Sequence, residues 1–192
     1  LSNTTQLRQH LDFLDEHKKH QAAPFGVFQI DRQKLRGATY SSKGRWSRAI
    51  LSLYASARPK DWEHIDKDVL AINLFFSTDK PNLHHIFPTN SAYVLSQQHQ
   101  NRITSDSLMN IAYLPQITNL DITNRDPLNY LTDYDKPGFE NIAVPSHLLP
   151  LELLHWARQG QLPANAIDLF IEARVDKILN ALRERLPGIQ VS

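Results

Sequence analysis

The chain contains no cysteine, a single methionine and six glycines among 192 residues. Without cysteine there is no disulfide, no thiolate zinc site and no cysteine nucleophile, so any metal would be held by nitrogen and oxygen donors. No apolar run nears the roughly 20 residues that a bilayer-spanning helix requires, and the first thirty residues lack the pattern of a secretion signal. The expectation is a cytoplasmic protein with no membrane partner. Charge of either sign is nearly balanced, and a net +1 does not by itself mark a nucleic-acid binder. The chain begins at Leu1 and its one methionine is the internal Met109, which suggests a fragment of a longer protein.

What is present fits one domain. Hydrophobic residues make up 41% and charged residues 21%, ordinary for a globular chain of this length that buries its own core. The charge is uneven along the chain. From Arg32 to Arg48 there are six basic residues (Arg32, Lys34, Arg36, Lys43, Arg45, Arg48) and no acidic one, with Tyr40 and Trp46 among them. Such a stretch can neutralise phosphates and stack bases, or it can be a solvated loop leading into a helix.

Periodicity places helices at both ends. Thr4 to about Lys19 carries Leu7, Leu11 and Leu14 on one face, and Ala23, Pro24 and Gly26 end it. A short apolar segment, Phe25 to Ile30, precedes the basic stretch. Trp46 to about Ala57 reads as a second helix, ended by Pro59. Val69 to Phe76 is apolar throughout and reads equally as a short helix or a buried strand. Asn82 to Pro88 and Asn110 to Leu114 read as strands, separated by a polar loop from Thr89 to Ser107. A short helix from Thr118 to Thr123 follows, then a loop punctuated by Pro127, Pro137 and Gly138. Two helices close the chain, Leu149 to Arg158 and Ala164 to Leu186. The fold class is α+β and mainly helical: a small strand–loop–strand–helix centre, 82–131, between helical flanks 1–81 and 132–192, in a single domain 1–192.

The centre carries the chemistry. Asn82-Leu83-His84-His85-Ile86-Phe87-Pro88 places two adjacent histidines on a strand, where alternation sends them to opposite faces. Downstream, Asn110 begins an apolar strand and Asn119 lies nine residues later near the start of a helix. This pattern resembles the ββα-metal finger of HNH endonucleases, in the variant whose last histidine is asparagine. Asn119, Ile122, Asn124, Arg125, Pro127, Tyr130 and Leu131, and the final helix with Phe170, Ile171 and Arg174, resemble the nuclease domain of GmrSD-like modification-dependent restriction and phage-defence proteins. The specific part of the resemblance covers about a quarter of the chain.

The resemblance implies a role for each position. His85 is the general base, since an imidazole with an ordinary pKa near 6.5 accepts a proton at neutral pH. His84 and Asn119 hold one divalent ion through an imidazole nitrogen and an amide oxygen. Asn110 ties the strands together through side-chain-to-backbone hydrogen bonds and so aligns His85. Arg125 pairs with a phosphate, and Arg32, Lys34, Arg36, Lys43 and Arg45 add backbone contacts that ignore sequence. The ion expected is Mg²⁺ or Mn²⁺, with Mn²⁺ at least as good, since two neutral ligands attract Mg²⁺ less than a carboxylate would. Ni²⁺, Co²⁺ or Zn²⁺ are compatible with the imidazole.

Each residue also has a plainer role. Asn110 and Asn119 are common turn and cap residues. Arg125 can ion-pair with Asp121 or Asp126. His147 and His155, beside an apolar helix, read as structural, His99 has no spacing that ties it to the site, and Asp79 and Lys80 read as turn residues. The implied function is a metal-dependent DNA endonuclease, the effector of a prokaryotic defence protein whose upstream sensing and nucleotide-binding domain lies outside this chain. The alternatives are a non-catalytic nucleic-acid-binding or interaction module with a degenerate finger, and the same chemistry on RNA.

Overall fold

A computed structural model describes residues 28–97, 106–186 and 188–192. The N-terminal helix expected at 4–19 and its stop, His99, and the part of the polar loop from 98 to 105 lie outside the described residues. The elements in order are β1 (Phe28–Ile30), α1 (Arg32–Arg36), α2 (Arg45–Ser56), a 3₁₀ turn (Ile72–Phe76), β2 (Pro81–His85) and α3 (Ala92–Gln97). A second 3₁₀ turn (Leu108–Asn110), β3 (Ile111–Pro115), α4 (Gln116–Ile122) and α5 (Pro127–Tyr134) follow. A π-helical turn (Phe139–Ala143), α6 (Val144–Ser146), α7 (Leu151–Gln159), α8 (Ala166–Arg185) and β4 (Ile189–Val191) complete the chain. The fold is α+β and mainly helical.

Two small sheets organise it. β2 and β3 pair antiparallel, His84 opposite Ala112 and His85 opposite Ile111. β1 and β4 pair parallel, so the start of the described chain lies against its end. The core gathers Ile50 and Tyr54 of α2, Trp62, Ile86, Phe87, Leu108, Leu114, Tyr130, Phe170, Val175 and Ile178, all essentially removed from water. At roughly 1.5–3 kcal/mol per buried large apolar side chain, this cluster holds the ββα centre against α8.

Several sequence expectations are corrected. Of the two readings of the apolar run at Val69–Phe76, the buried strand is wrong, and the short helix forms only as a 3₁₀ turn at Ile72–Phe76. Only Val69 is buried, and the 3₁₀ turn leaves Ile72 75% and Phe76 85% exposed. The polar stretch after Thr89 holds the helix α3. Pro127 opens a helix rather than a loop: it sits in the first turn of α5, where its missing N–H costs nothing. The short helix expected from Thr118 begins two residues earlier, at Gln116. The first turn of α4 is held from β2's approach: Asp79 Oδ1 accepts from Ile117 N at 2.7 Å, and Lys80 O accepts from Gln116 N at 2.9 Å. The carboxylate on the Ile117 amide favours the helix terminus both by hydrogen bonding and by the helix dipole.

Candidate active site

The β2–β3 hairpin and α4 enclose a cleft of about 310 Å³ lined by His84, His85, Asn119, Leu120, Thr123 and Asn124, with Leu83 and Pro88–Asn90 completing the wall. His84 Nδ1 donates to Asn119 Oδ1 at 2.8 Å, across 35 positions of sequence. With the Nδ1 proton so used, Nε2 keeps its lone pair, and it is buried with no hydrogen-bond partner. The imidazole is only 2% exposed and is gripped edge-on by Trp62 and Tyr130, ring centroids 5.8 and 5.7 Å away. Burial drives its pKa down to about 4, against the opposing effect of the Asn119 hydrogen bond. His84 is therefore neutral at physiological pH, the form that ligates metals.

His85 is half-buried on the opposite face of β2 at the strand's end, and still reaches the cleft. Burial lowers its pKa, and the nearby Asp106 carboxylate opposes that shift. It too is neutral at pH 7 and free to accept a proton.

Asn110 does not line the cleft. It lies behind the hairpin, where its Oδ1 accepts from Phe87 N at 2.8 Å and its Nδ2 donates to Phe87 O at 2.9 Å. Its own carbonyl accepts from Ile86 N at 2.8 Å. The strand ends are thus joined where β2 leaves the sheet, directly after His85. Tyr130 adds a phenol to Ile86 O at 2.5 Å.

The donor set is compatible with a divalent ion. An ion would require the other tautomer, with the proton moved to Nε2; Nδ1 and Oδ1, 2.8 Å apart, then stand close to the spacing of adjacent ligands on an octahedral ion, about 3.0 Å for bonds of about 2.1 Å. Both donors are neutral, and no group of three or more His, Asp or Glu poised for a metal exists among the described residues. Two ligands leave the rest of the shell to water and to substrate oxygens.

The nucleic-acid-binding residues divide sharply. Arg32 bonds Asp176 and Glu172, at 2.5 and 3.0 Å, and Arg36 bonds Glu172 and, at 2.9 Å, Asp168. Those acids form an i, i+4, i+8 stripe on α8, so the two guanidiniums fasten α1 to the last helix, and carboxylates already meet the charge expected to serve phosphates. Arg125 likewise is taken by Asp133, at 2.5 Å, and by Asn129 O, rather than by Asp121 or Asp126. Lys34 pairs locally with Asp31. Lys43 and Arg45 are exposed and have no ion pair among the described residues, and Tyr40 and Trp46 beside them are about two-fifths exposed. This second half of the basic stretch adjoins the hairpin: Tyr40 N donates to Asp106 O at 2.7 Å and Leu108 N to Ala38 O at 2.9 Å.

His147 is structural, buried and bonded through Nε2 to Lys60 O at 2.7 Å; His155 is exposed. Sequence reasoning missed Trp62 as a wall of the His84 pocket, Asp106 as an acid that acts on His85, and Asp79 as the anchor of α4. Trp62 and Asp106 carry no local signal, because only the fold brings them to the hairpin. No protein-family model, curated protein or solved structure matches the chain significantly.

Proposed function

We propose that this chain is a metal-dependent DNA endonuclease of the HNH kind. The observation that carries the reading is the 2.8 Å approach of His84 and Asn119 in a cleft that His85 also lines. His84 and Asn119 would hold one divalent ion, Mg²⁺ or Mn²⁺ for preference. When bound, such an ion supplies Lewis acidity toward a non-bridging phosphate oxygen and the departing 3′ oxygen. His85 takes the proton from the attacking water, its neutral imidazole being the acceptor form. Asn110 acts through the backbone: by clasping Phe87 it keeps the strand end, and hence the His85 ring, in one position. Lys43 and Arg45 neutralise flanking phosphates without reading bases. The wider setting that we infer is a cytoplasmic effector in prokaryotic defence, controlled by an upstream sensing domain.

A second reading has its own support. The cleft offers an ion no carboxylate, a weak set for Mg²⁺, as a non-catalytic nucleic-acid-binding module with a relict finger would. Incubating the purified chain with supercoiled plasmid, linear duplex, single-stranded DNA and RNA, with Mn²⁺ or with EDTA, tests both. The nuclease reading expects metal-dependent conversion of supercoiled plasmid to open circle, one strand at a time. Binding without cleavage at enzyme excess across Mg²⁺, Mn²⁺, Ni²⁺ and Zn²⁺ favours the module, and cleavage of RNA alone moves the same chemistry to another substrate.

A further inference from the structure

Arg174, midway along α8, is wholly buried, and no carboxylate is among its partners in the described residues. A guanidinium in that position gives up its hydration with no counter-charge in return. Its Nη1 donates to Met109 O at 2.7 Å and its Nη2 to His147 O at 3.2 Å, while Nε is buried without a partner. The cation stacks over the Tyr54 ring at 4.6 Å and approaches Phe170 at 5.8 Å. Tyr54 in turn donates its hydroxyl to Leu108 O at 2.9 Å, so the guanidinium and the phenol beneath it bind consecutive carbonyls of one 3₁₀ turn.

Both bonds lead to the cleft by short routes. Met109 precedes Asn110, whose side chain and carbonyl fix Phe87 and Ile86 behind His85. His147 packs edge-on against Trp62 at 5.6 Å, and Trp62 packs against His84. A methionine would fill the same space without the cost of burying charge, yet no apolar side chain can hold two carbonyls at a set separation as a planar fork does. We propose that Arg174 is a positioning residue that fixes the Leu108–Asn110 turn relative to the His147–Trp62 wall, and so sets His85 relative to His84. The catalytic consequence rests on the nuclease reading; the structural one does not.

The test uses Arg174→Met and Arg174→Lys in the full chain. Amide hydrogen exchange at Ile86 and Phe87, whose N–H groups both bond Asn110, reports the hairpin directly. In Arg174→Met these two amides are expected to exchange about 10-fold faster than in the wild type, while Leu154 and Ala157 of α7 stay within about 2-fold. Plasmid nicking is expected to fall about 10-fold in kcat at an unchanged KM, since what is lost is alignment rather than binding. The lysine variant keeps the charge but not the fork, and is expected to fail in the same way. Wild-type exchange at Ile86 and Phe87 in the folded methionine variant would overturn the proposal. So would failure of both variants to fold, which would make Arg174 a stability residue only. If the wild type does not nick at all, the nuclease reading falls and the exchange comparison still decides the role of Arg174.

Discussion

Asn110 holds Phe87 by both ends of its peptide, accepting from the amide and donating to the carbonyl at 2.8 and 2.9 Å in a site only 5% exposed. Two strand ends that would otherwise fray past the last ladder bond are thereby locked to each other. The hairpin's mouth, where both histidines lie, is tied across by this carboxamide.

Removing that carboxamide strands buried polar groups on both sides. Asn110→Ala is expected to lower stability by about 2–4 kcal/mol, the cost of leaving a buried N–H and C=O without partners. Asn110→Asp keeps the acceptor but loses the donor and adds a charge, and is expected to be no milder. Urea unfolding of the three proteins checks both statements; a loss below about 0.5 kcal/mol in the alanine variant would show that water replaces the side chain.

Acid should destabilise the protein well before its carboxylates titrate. Burial pushes both His147 and His84 down to about 4, below the ordinary histidine value near 6.5. The unfolded chain then binds more protons than the folded one between those limits, so stability is full above about pH 6.5 and declines as pH falls toward about 4. The loss is on the order of 3 kcal/mol for each group. Urea titrations in EDTA at pH 7 and pH 4.5 measure it. In a folded His147→Gln variant the slope between these values should be about half as steep; an unchanged slope would refute the assignment.

One turn beside the cleft breaks a backbone rule. Thr123 has φ 53° and ψ −121°, and Arg125 N bonds Ile122 O at 3.1 Å, the geometry of a type II′ turn whose first central residue is ordinarily glycine. A β-branched residue there is strained by about 1–3 kcal/mol. Thr123→Gly is expected to raise the melting temperature, with a net gain of about 1 kcal/mol after glycine's extra unfolded-state entropy. A lower melting temperature would mean that the threonine side chain makes interactions worth more than the strain.

The basic residues should separate in function. Arg36→Ala, which removes its ion pairs with Asp168 and Glu172, is expected to cost up to about 1 kcal/mol of stability and to leave DNA affinity unchanged. Lys43→Ala and Arg45→Ala are expected to do the opposite, with the salt dependence of binding reduced by about one for each phosphate left without its cation. Fluorescence anisotropy at several salt concentrations reads both. Equal affinity losses from all three variants would return α1 to the DNA-facing surface.

These outcomes mark how far the residues alone could be read. The hairpin and the short helix after it were legible, because Asn82–Pro88 and Asn110–Leu114 alternate or run apolar between turn residues; the expectation that His84, His85 and Asn119 share one cleft came from the resemblance. The fate of the basic stretch was not. Arg32 and Arg36 meet acids more than 130 positions away, and nothing within Arg32–Arg48 shows that α8 presents a matching acidic stripe. Phe75 and Phe76 misled for a related reason: hydrophobicity suggests burial, but the tight turn between Ala71 and Ser77 points the two rings into solvent. Trp62 supports the site through packing, which leaves no spacing in the sequence, and Tyr130 and Arg174 enter the sequence reading only through the resemblance, which assigns them no role.

The most direct test of the nuclease reading is the rate at which supercoiled plasmid is nicked by wild type and by His85→Ala, in Mn²⁺, with DNA affinity measured alongside. The alanine variant is predicted to bind DNA within about 2-fold of wild type and to nick at least about 100-fold more slowly, the scale of a lost general base. Nicking by His85→Ala at the wild-type rate would contradict it.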